Sequence, residues 1–273
     1  MTNYDLRGMI IDMDGVLWRG LDPIGNLPEV FNSIAQLDLK FILVTNNATR
    51  SVSQYEEKLK DFGVGVPTRQ IINSAQATAQ YLGHKFPEGG PVYVIGEEGL
   101  LQALEENKFH HSEEEALAVV VGLDRTVNYD KLKKAALLIQ EDKLFVCTNP
   151  DPALPSPEGL LPGTGSIIAA LETATGVKGM IIGKPQPEMY RMAIERMGIS
   201  PQNTLVVGDR LETDIAGGQT LGCPTAVVLS GVASRSEAED WKPPLDFIAI
   251  DLTELLDQMS SELHKQGART NIR

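Results

Sequence analysis

Little in this chain would serve a disulfide scaffold, a nucleic-acid surface or a membrane span. It has two cysteines in 273 residues, Cys147 and Cys223, too few and too far apart for a disulfide framework or a thiolate metal cluster. Both stand in apolar, strand-like runs and read as small core residues. Positive charge is scarce: 24 Lys and Arg face 37 Asp and Glu, for a formal net charge of −13. Proteins that cover nucleic acid neutralise phosphates with clustered cations, so no nucleic-acid partner is expected. The global charge does not bar a small anionic substrate, because a metal ion and one or two local cations can reverse the field within a cleft. The four histidines have no ligand spacing. No apolar run is long enough to span a bilayer, and Met1-Thr2-Asn3-Tyr4-Asp5 lacks the basic and apolar regions of a signal peptide. A cytoplasmic protein without a membrane partner is the expectation. Tandem repeats and low-complexity segments are also missing.

What is present is the composition of a soluble globular protein, 42% hydrophobic and 22% charged, at a length with room for two domains. Apolar runs at residues 40–45, 92–95, 118–121, 144–147, 180–182, 205–207, 225–229 and 247–250 read as strands. Helical patterns occupy residues 52–62, 129–140, 165–175, 187–197 and 252–263, the first with Ser51 and Gln54 as a capping box and Gly63 as a stop. Strand and helix in alternation predict an α/β fold, a doubly wound parallel sheet. Residues 149–159 hold four prolines and are expected to form an irregular loop without regular secondary structure.

Chemistry gathers at the ends of the predicted strands. Met9-Ile10-Ile11 runs into Asp12-Met13-Asp14-Gly15, placing two carboxylates where open α/β sheets put their sites. Two crowded acids repel unless a cation joins them, and oxygen ligands suit a hard ion such as magnesium. An ordinary solvated turn explains this tetrad equally well. Thr45-Asn46 ends the second run with a hydroxyl, an amide and backbone N–H groups, all donors to an anionic oxygen. Lys184 follows residues 180–182 and is either a surface lysine or a point charge for a phosphoryl group. Asp209 stands directly past residues 205–207, and Asp214 is expected to open a helix as its capping carboxylate.

In order, Asp-x-Asp-Gly, Thr-Asn, Lys and Gly-Asp-x-x-x-Thr-Asp resemble the four signature motifs of the haloacid dehalogenase superfamily in its phosphatase branch. Thr45-Asn46-Asn47, Thr148-Asn149-Pro150-Asp151, the segment 157–165 and Gly183-Lys184-Pro185-Gln186-Pro187 are similar to the subfamily of NagD, the 4-nitrophenylphosphatases, phosphoglycolate phosphatase and pyridoxal phosphatase. That resemblance implies a Rossmann-like catalytic core, residues 1–73 and 184–273, with a large α/β cap inserted at residues 74–183.

It also implies roles. Asp12 becomes the nucleophile that forms an aspartyl-phosphate, and Asp14 the general acid and base, its backbone carbonyl joining the metal shell. Asp12 and Asp209 supply carboxylate ligands to Mg2+, with Asp214 orienting that shell or ligating through water. Thr45, Asn46 and Lys184 hold the phosphoryl oxygens. In the cap, Asp124, Asn149 and Asp151 each end or follow an apolar strand and are candidate substrate contacts. The implied activity is a magnesium-dependent phosphomonoesterase acting on a small phosphorylated metabolite, and on 4-nitrophenyl phosphate in assay. Two other readings compete: a receiver-like phospho-acceptor module and a degenerate binding protein of the same fold. Members of the subfamily often pair through the cap, and a homodimer of that kind is carried over as a tendency.

Overall fold

The computed structural model describes residues 5–156 and 158–270. Residues 1–4 of the amino-terminal segment and Pro157 of the proline-rich stretch lie outside them. The chain forms two compact units, one of Met1–Val44, Glu57–Gln70 and Tyr190–Arg273, the other of Thr45–Glu56 and Ile71–Met189.

In the first unit the Gly8–Asp12 strand is buried along its whole length and lies between Lys40–Thr45 and Thr204–Gly208. Both pairings are parallel, with Ile10 opposite Ile42 on one side and Val206 on the other. Beyond Thr204–Gly208 come Thr225–Val228 and then Phe247–Ala249, also parallel. The chain therefore steps from Gly8–Asp12 to one neighbour and later fills the opposite side. Such a reversal opens a crevice at the carboxyl ends of the two strands that flank it, where ligands bind in open α/β sheets. The helix Val52–Asp61 begins at the expected capping box: Ser51 N–H donates to Gln54 Oε1 at 3.0 Å and Gln54 N–H to Ser51 Oγ at 3.4 Å. It ends at Gly63, whose φ of +80° suits a residue without a Cβ.

The second unit has its own parallel sheet, in the order Met180–Ile181, Leu144–Cys147, Ala118–Val121, Gly90–Ile95 and Phe109–His111. Helices Tyr129–Gln140 and Thr164–Thr175 contribute Ile139 and Leu171 to a core with Val119, Val121 and Phe145. The doubly wound α/β expectation thus holds in strand content and direction.

The proline-rich stretch is a correction. Ala153–Ser156 pairs antiparallel with Gly159–Pro162 as a two-stranded ribbon. Proline removes one ladder donor, which forbids a central strand; a ribbon with two open edges tolerates that loss. Further helices not among the predicted segments include Leu27–Gln36, Ser74–Lys85, Glu98–Glu106 and Arg235–Asp240. Ser74–Lys85 is made largely of alanine, glutamine and small polar residues, so its apolar stripe is too faint for a periodicity argument.

Cys147 and Cys223 are both buried and free, as their apolar contexts suggested. Burial pushes the Cys223 thiol up to about 12, and burial first, then the charge of Glu172, raise that of Cys147 further. Since the thiolate is the reactive form, a chromogenic disulfide reagent at neutral pH should titrate neither thiol in the native protein and both after denaturation. Ile10, 1% exposed between two strands, sets a stability test. Ile10→Ala should lower the unfolding free energy by about 2–5 kcal/mol in chemical denaturation.

Candidate active site

Asp12 is the last residue of Gly8–Asp12, and Asp209 directly follows Thr204–Gly208. Because Ile11 stands opposite Val207 in the parallel register, both carboxylates emerge at the same end of adjacent strands. Asp214 comes from a turn of π-helix, Leu211–Ile215, in which Ile215 N–H reaches back to the Arg210 carbonyl at 3.3 Å. All three acids are buried, and one oxygen from each lies within 4.8 Å of the others. Among the described residues this is the group of acids, cysteines or histidines gathered closely enough to share a cation. A donor set of carboxylate oxygens alone fits a hard divalent ion, whereas softer metals select thiolate or imidazole.

The acids are held by backbone as much as by side chains. Asp209 Oδ2 accepts from Val232 N–H at 2.9 Å, and the Asp209 carbonyl accepts from Ala233 N–H at 2.9 Å. Gly15 and Gly231 press against the same carboxylate so closely that a Cβ at either would collide with it, and Gly15 also has a φ of +90°. Ser230 ties the two sides together, its hydroxyl donating to the Gly15 carbonyl at 2.7 Å.

Asp214 does not open a helix as expected. Its Oδ2 accepts from Arg210 N–H at 3.1 Å, four residues back, so the carboxylate closes its own turn. The buried Tyr190 hydroxyl donates to the carbonyls of Thr213 and Asp214, at 3.0 and 3.1 Å, bracing that turn. A Cβ at Gly208 would strike the Asp214 side chain, and one at Gly217 the Tyr190 ring. Asp14, two residues past the strand, is exposed; its Oδ1 accepts from the Trp18 indole N–H at 2.9 Å.

The remaining sequence-predicted residues belong to the second unit. Thr45 is buried and its hydroxyl accepts from Asn47 N–H at 3.1 Å. The Asn46 amide grips the Lys184 backbone from both sides: Oδ1 accepts from Lys184 N–H at 2.8 Å, and Nδ2 donates to the Lys184 carbonyl at 3.0 Å. Nδ2 also lies 3.3 Å from Asp151 Oδ2, which accepts from Asn149 Nδ2 at 2.6 Å. Asn46, Asn149, Asp151 and Lys184 therefore form one hydrogen-bonded group, in which the Asn46 side chain serves the Lys184 main chain. Glycine at 183 makes this approach feasible, since a Cβ there would meet the Thr148 carbonyl and Asn46 Oδ1. Asp124 stands apart, buried and bonded to Lys131 Nζ at 2.6 Å, Thr126 Oγ1 at 2.7 Å and Thr126 N–H at 2.8 Å. Burial alone would raise its carboxyl, but these bonds outweigh that and hold it below its ordinary value.

Sequence reasoning missed Trp18, Tyr190, Ser230 and Gly231. Ser230-Gly231 lies just past the Thr225–Val228 strand, so its position alone could have flagged it. Trp18 and Tyr190 offered no such signal, since a lone aromatic in an apolar context reads as core.

Residues 9–110 match the family model of haloacid dehalogenase-like hydrolases, and residues 181–255 a second, HAD-hydrolase-like model. The 5′-nucleotidase YutF of Bacillus subtilis is 37% identical over 234 residues, covering 86% of this chain and 91% of its own. Among solved structures, a p-nitrophenyl phosphatase from Archaeoglobus fulgidus superposes with a TM-score of 0.87 at 32% identity, covering 93% of this chain and 99% of its own. A glycerol phosphate phosphatase from Mycobacterium tuberculosis, solved in complex with magnesium, gives 0.84 at 34% identity, covering 93% of this chain and 78% of its own. With four motifs in order, three acids converging at the strand ends and relatives along nearly the whole chain, the protein belongs to the haloacid dehalogenase-like hydrolases, in the subfamily of the 4-nitrophenylphosphatases.

Proposed function

We propose that this chain is a magnesium-dependent phosphomonoesterase that cleaves small phosphorylated metabolites through an aspartyl-phosphate on Asp12. The observation that carries the reading is the convergence of Asp12, Asp209 and Asp214, three buried acids each with an oxygen within 4.8 Å of the others. The relatives add weight, being phosphatases named for three different leaving groups: a nucleoside, 4-nitrophenol and glycerol.

Asp12 attacks phosphorus, so that its carboxylate oxygen forms a P–O bond as the bond to the leaving group breaks. Asp14 gives its proton to the departing oxygen. In the second half, Asp14 takes a proton from water as that water attacks phosphorus and frees Asp12. Splitting one displacement into two lowers each barrier. Thr45 and Lys184 hold phosphoryl oxygens, and positioning of this kind dominates phosphoryl transfer. Asn46 contributes through the Lys184 backbone that its amide holds. Asp12, Asp209 and the Asp14 carbonyl would hold the magnesium ion, with Asp214 orienting that shell. When bound, the ion supplies positive charge that relieves repulsion among the acids and draws charge off the phosphoryl group. Residues 74–183 form the domain that selects the leaving group; Asn149 and Asp151 are its candidate contacts, while Asp124 is occupied by Thr126 and by Lys131 of the Tyr129–Gln140 helix.

The test is a screen of phosphate release from nucleotides, sugar phosphates, glycerol phosphate, phosphoglycolate, pyridoxal phosphate and 4-nitrophenyl phosphate with added magnesium. Repeated turnover is expected on at least one ester, abolished by a chelator and restored by magnesium. A single long-lived phosphoryl adduct would instead mark a phospho-acceptor module. Asp12→Asn should reduce turnover by about a thousandfold or more with the fold intact by circular dichroism; near-normal magnesium-dependent turnover in that variant would sink the covalent route. For Asp214→Asn, magnesium affinity measured by calorimetry should fall about 10- to 100-fold, the usual cost of losing a group that orients metal ligands.

A further inference from the structure

Asp14 is an exposed carboxylate, a poor starting point for a group that must hand a proton to one particular atom. Beside it, Trp18 has 0% of its surface exposed, and its indole N–H donates to Asp14 Oδ1 at 2.9 Å. The main chain repeats the link, with Gly15 N–H donating to the Trp18 carbonyl at 2.8 Å and an isolated bridge pairing Asp14 with Trp18. The ring itself is clamped. Lys58 Nζ sits 4.0 Å from its centroid and donates to the Gly20 carbonyl at 2.8 Å, while Phe62 packs at 5.9 Å between centroids. A cation over the face of an indole is attracted by the ring's quadrupole, which adds to the restraint.

We infer that Trp18 is a positioning residue that holds Asp14 Oδ1 as a hydrogen-bond acceptor and thereby confines the transferable proton to Oδ2. Indole N–H is a donor with no acceptor capacity. Facing it, Oδ1 must accept in both protonation states of the acid, as the carbonyl oxygen when the carboxyl is neutral. The proton then leaves from Oδ2 to the leaving-group oxygen as the P–O bond to that oxygen breaks, and returns to Oδ2 from the attacking water. Side-chain rotation that would carry the proton off Oδ2 breaks the indole hydrogen bond to Oδ1, and the loss of that bond opposes it. The sequence offers a Trp four residues after an Asp; only the turn between them brings the two side chains together.

This inference rests on the phosphatase reading, and on Asp14 as its acid. Phenyl phosphate and 4-nitrophenyl phosphate separate the two ideas, because they have similar shape but phenolate needs protonation on departure far more than 4-nitrophenolate does. The quantity to compare is kcat/KM, which reports the steps up to loss of the leaving group. Trp18→Phe removes the donor, and replacement of Trp18 by 3-benzothienylalanine, with sulfur in place of the indole N–H, removes it while keeping the ring's shape. In both variants phenyl phosphate should lose about tenfold more kcat/KM than 4-nitrophenyl phosphate, a fraction of what a positioned general acid contributes. Asp14→Asn should show the same selectivity, larger. Equal losses on both esters in the benzothienyl variant, beside a selective loss in Asp14→Asn, would overturn the role of Trp18 and leave the phosphatase reading standing. Equal losses in Asp14→Asn would remove Asp14 as the acid, and this inference with it.

Discussion

Repulsion among three buried carboxylates is the constraint around which the first unit is arranged. Two full charges within 4.8 Å of each other repel by about 3 kcal/mol or more at an effective dielectric of 20, and Asp12, Asp209 and Asp214 make three such pairs. A chain does not gather acids in this way for stability alone. The surrounding backbone is built to keep them together: Val232 N–H on Asp209, Arg210 N–H on Asp214, and the Tyr190 hydroxyl behind the Asp214 turn. Stability is given up locally to hold three acids at a spacing that a hard divalent cation fits.

Glycine is the other half of that arrangement. Gly15 and Gly231 flank the Asp209 carboxylate, and Gly208 faces the Asp214 side chain. At each, a methyl group would occupy space the carboxylate already fills. Gly183 repeats the device in the second unit, where it admits the Thr148 carbonyl and the Asn46 amide beside the Lys184 backbone. The π-helical turn at Leu211–Ile215 belongs to the same logic, since one extra residue per turn re-aims a side chain at modest cost, and such turns recur at functional sites.

Fold and site were legible in the sequence to different depths. Strands buried on both faces announce themselves as continuous apolar runs, so Lys40–Thr45, Ala118–Val121 and Leu144–Cys147 occur at the predicted residues. Amphipathic helices with polar caps did as well, Tyr129–Gln140 among them. Ser74–Lys85, rich in alanine, left too little contrast between its faces. The ribbon at Ala153–Ser156 was hidden because proline argues against a strand only where both edges must be paired. Asp214 was misread for a related reason: an acid before a helical pattern caps it in most chains, but here its carboxylate points back to Arg210.

By itself the sequence determined which acids stand at strand ends and in what order, and so carried the resemblance to the family, because apolar runs and the residues that stop them are local properties of the chain. Tertiary structure alone decided which of those groups meet. It drew Asp214 onto Asp12 and Asp209, turned the Asn46 amide toward the Lys184 backbone, and set a buried indole against Asp14. Such contacts depend on where a side chain points once strands and turns have packed, and no one-dimensional spacing encodes that direction.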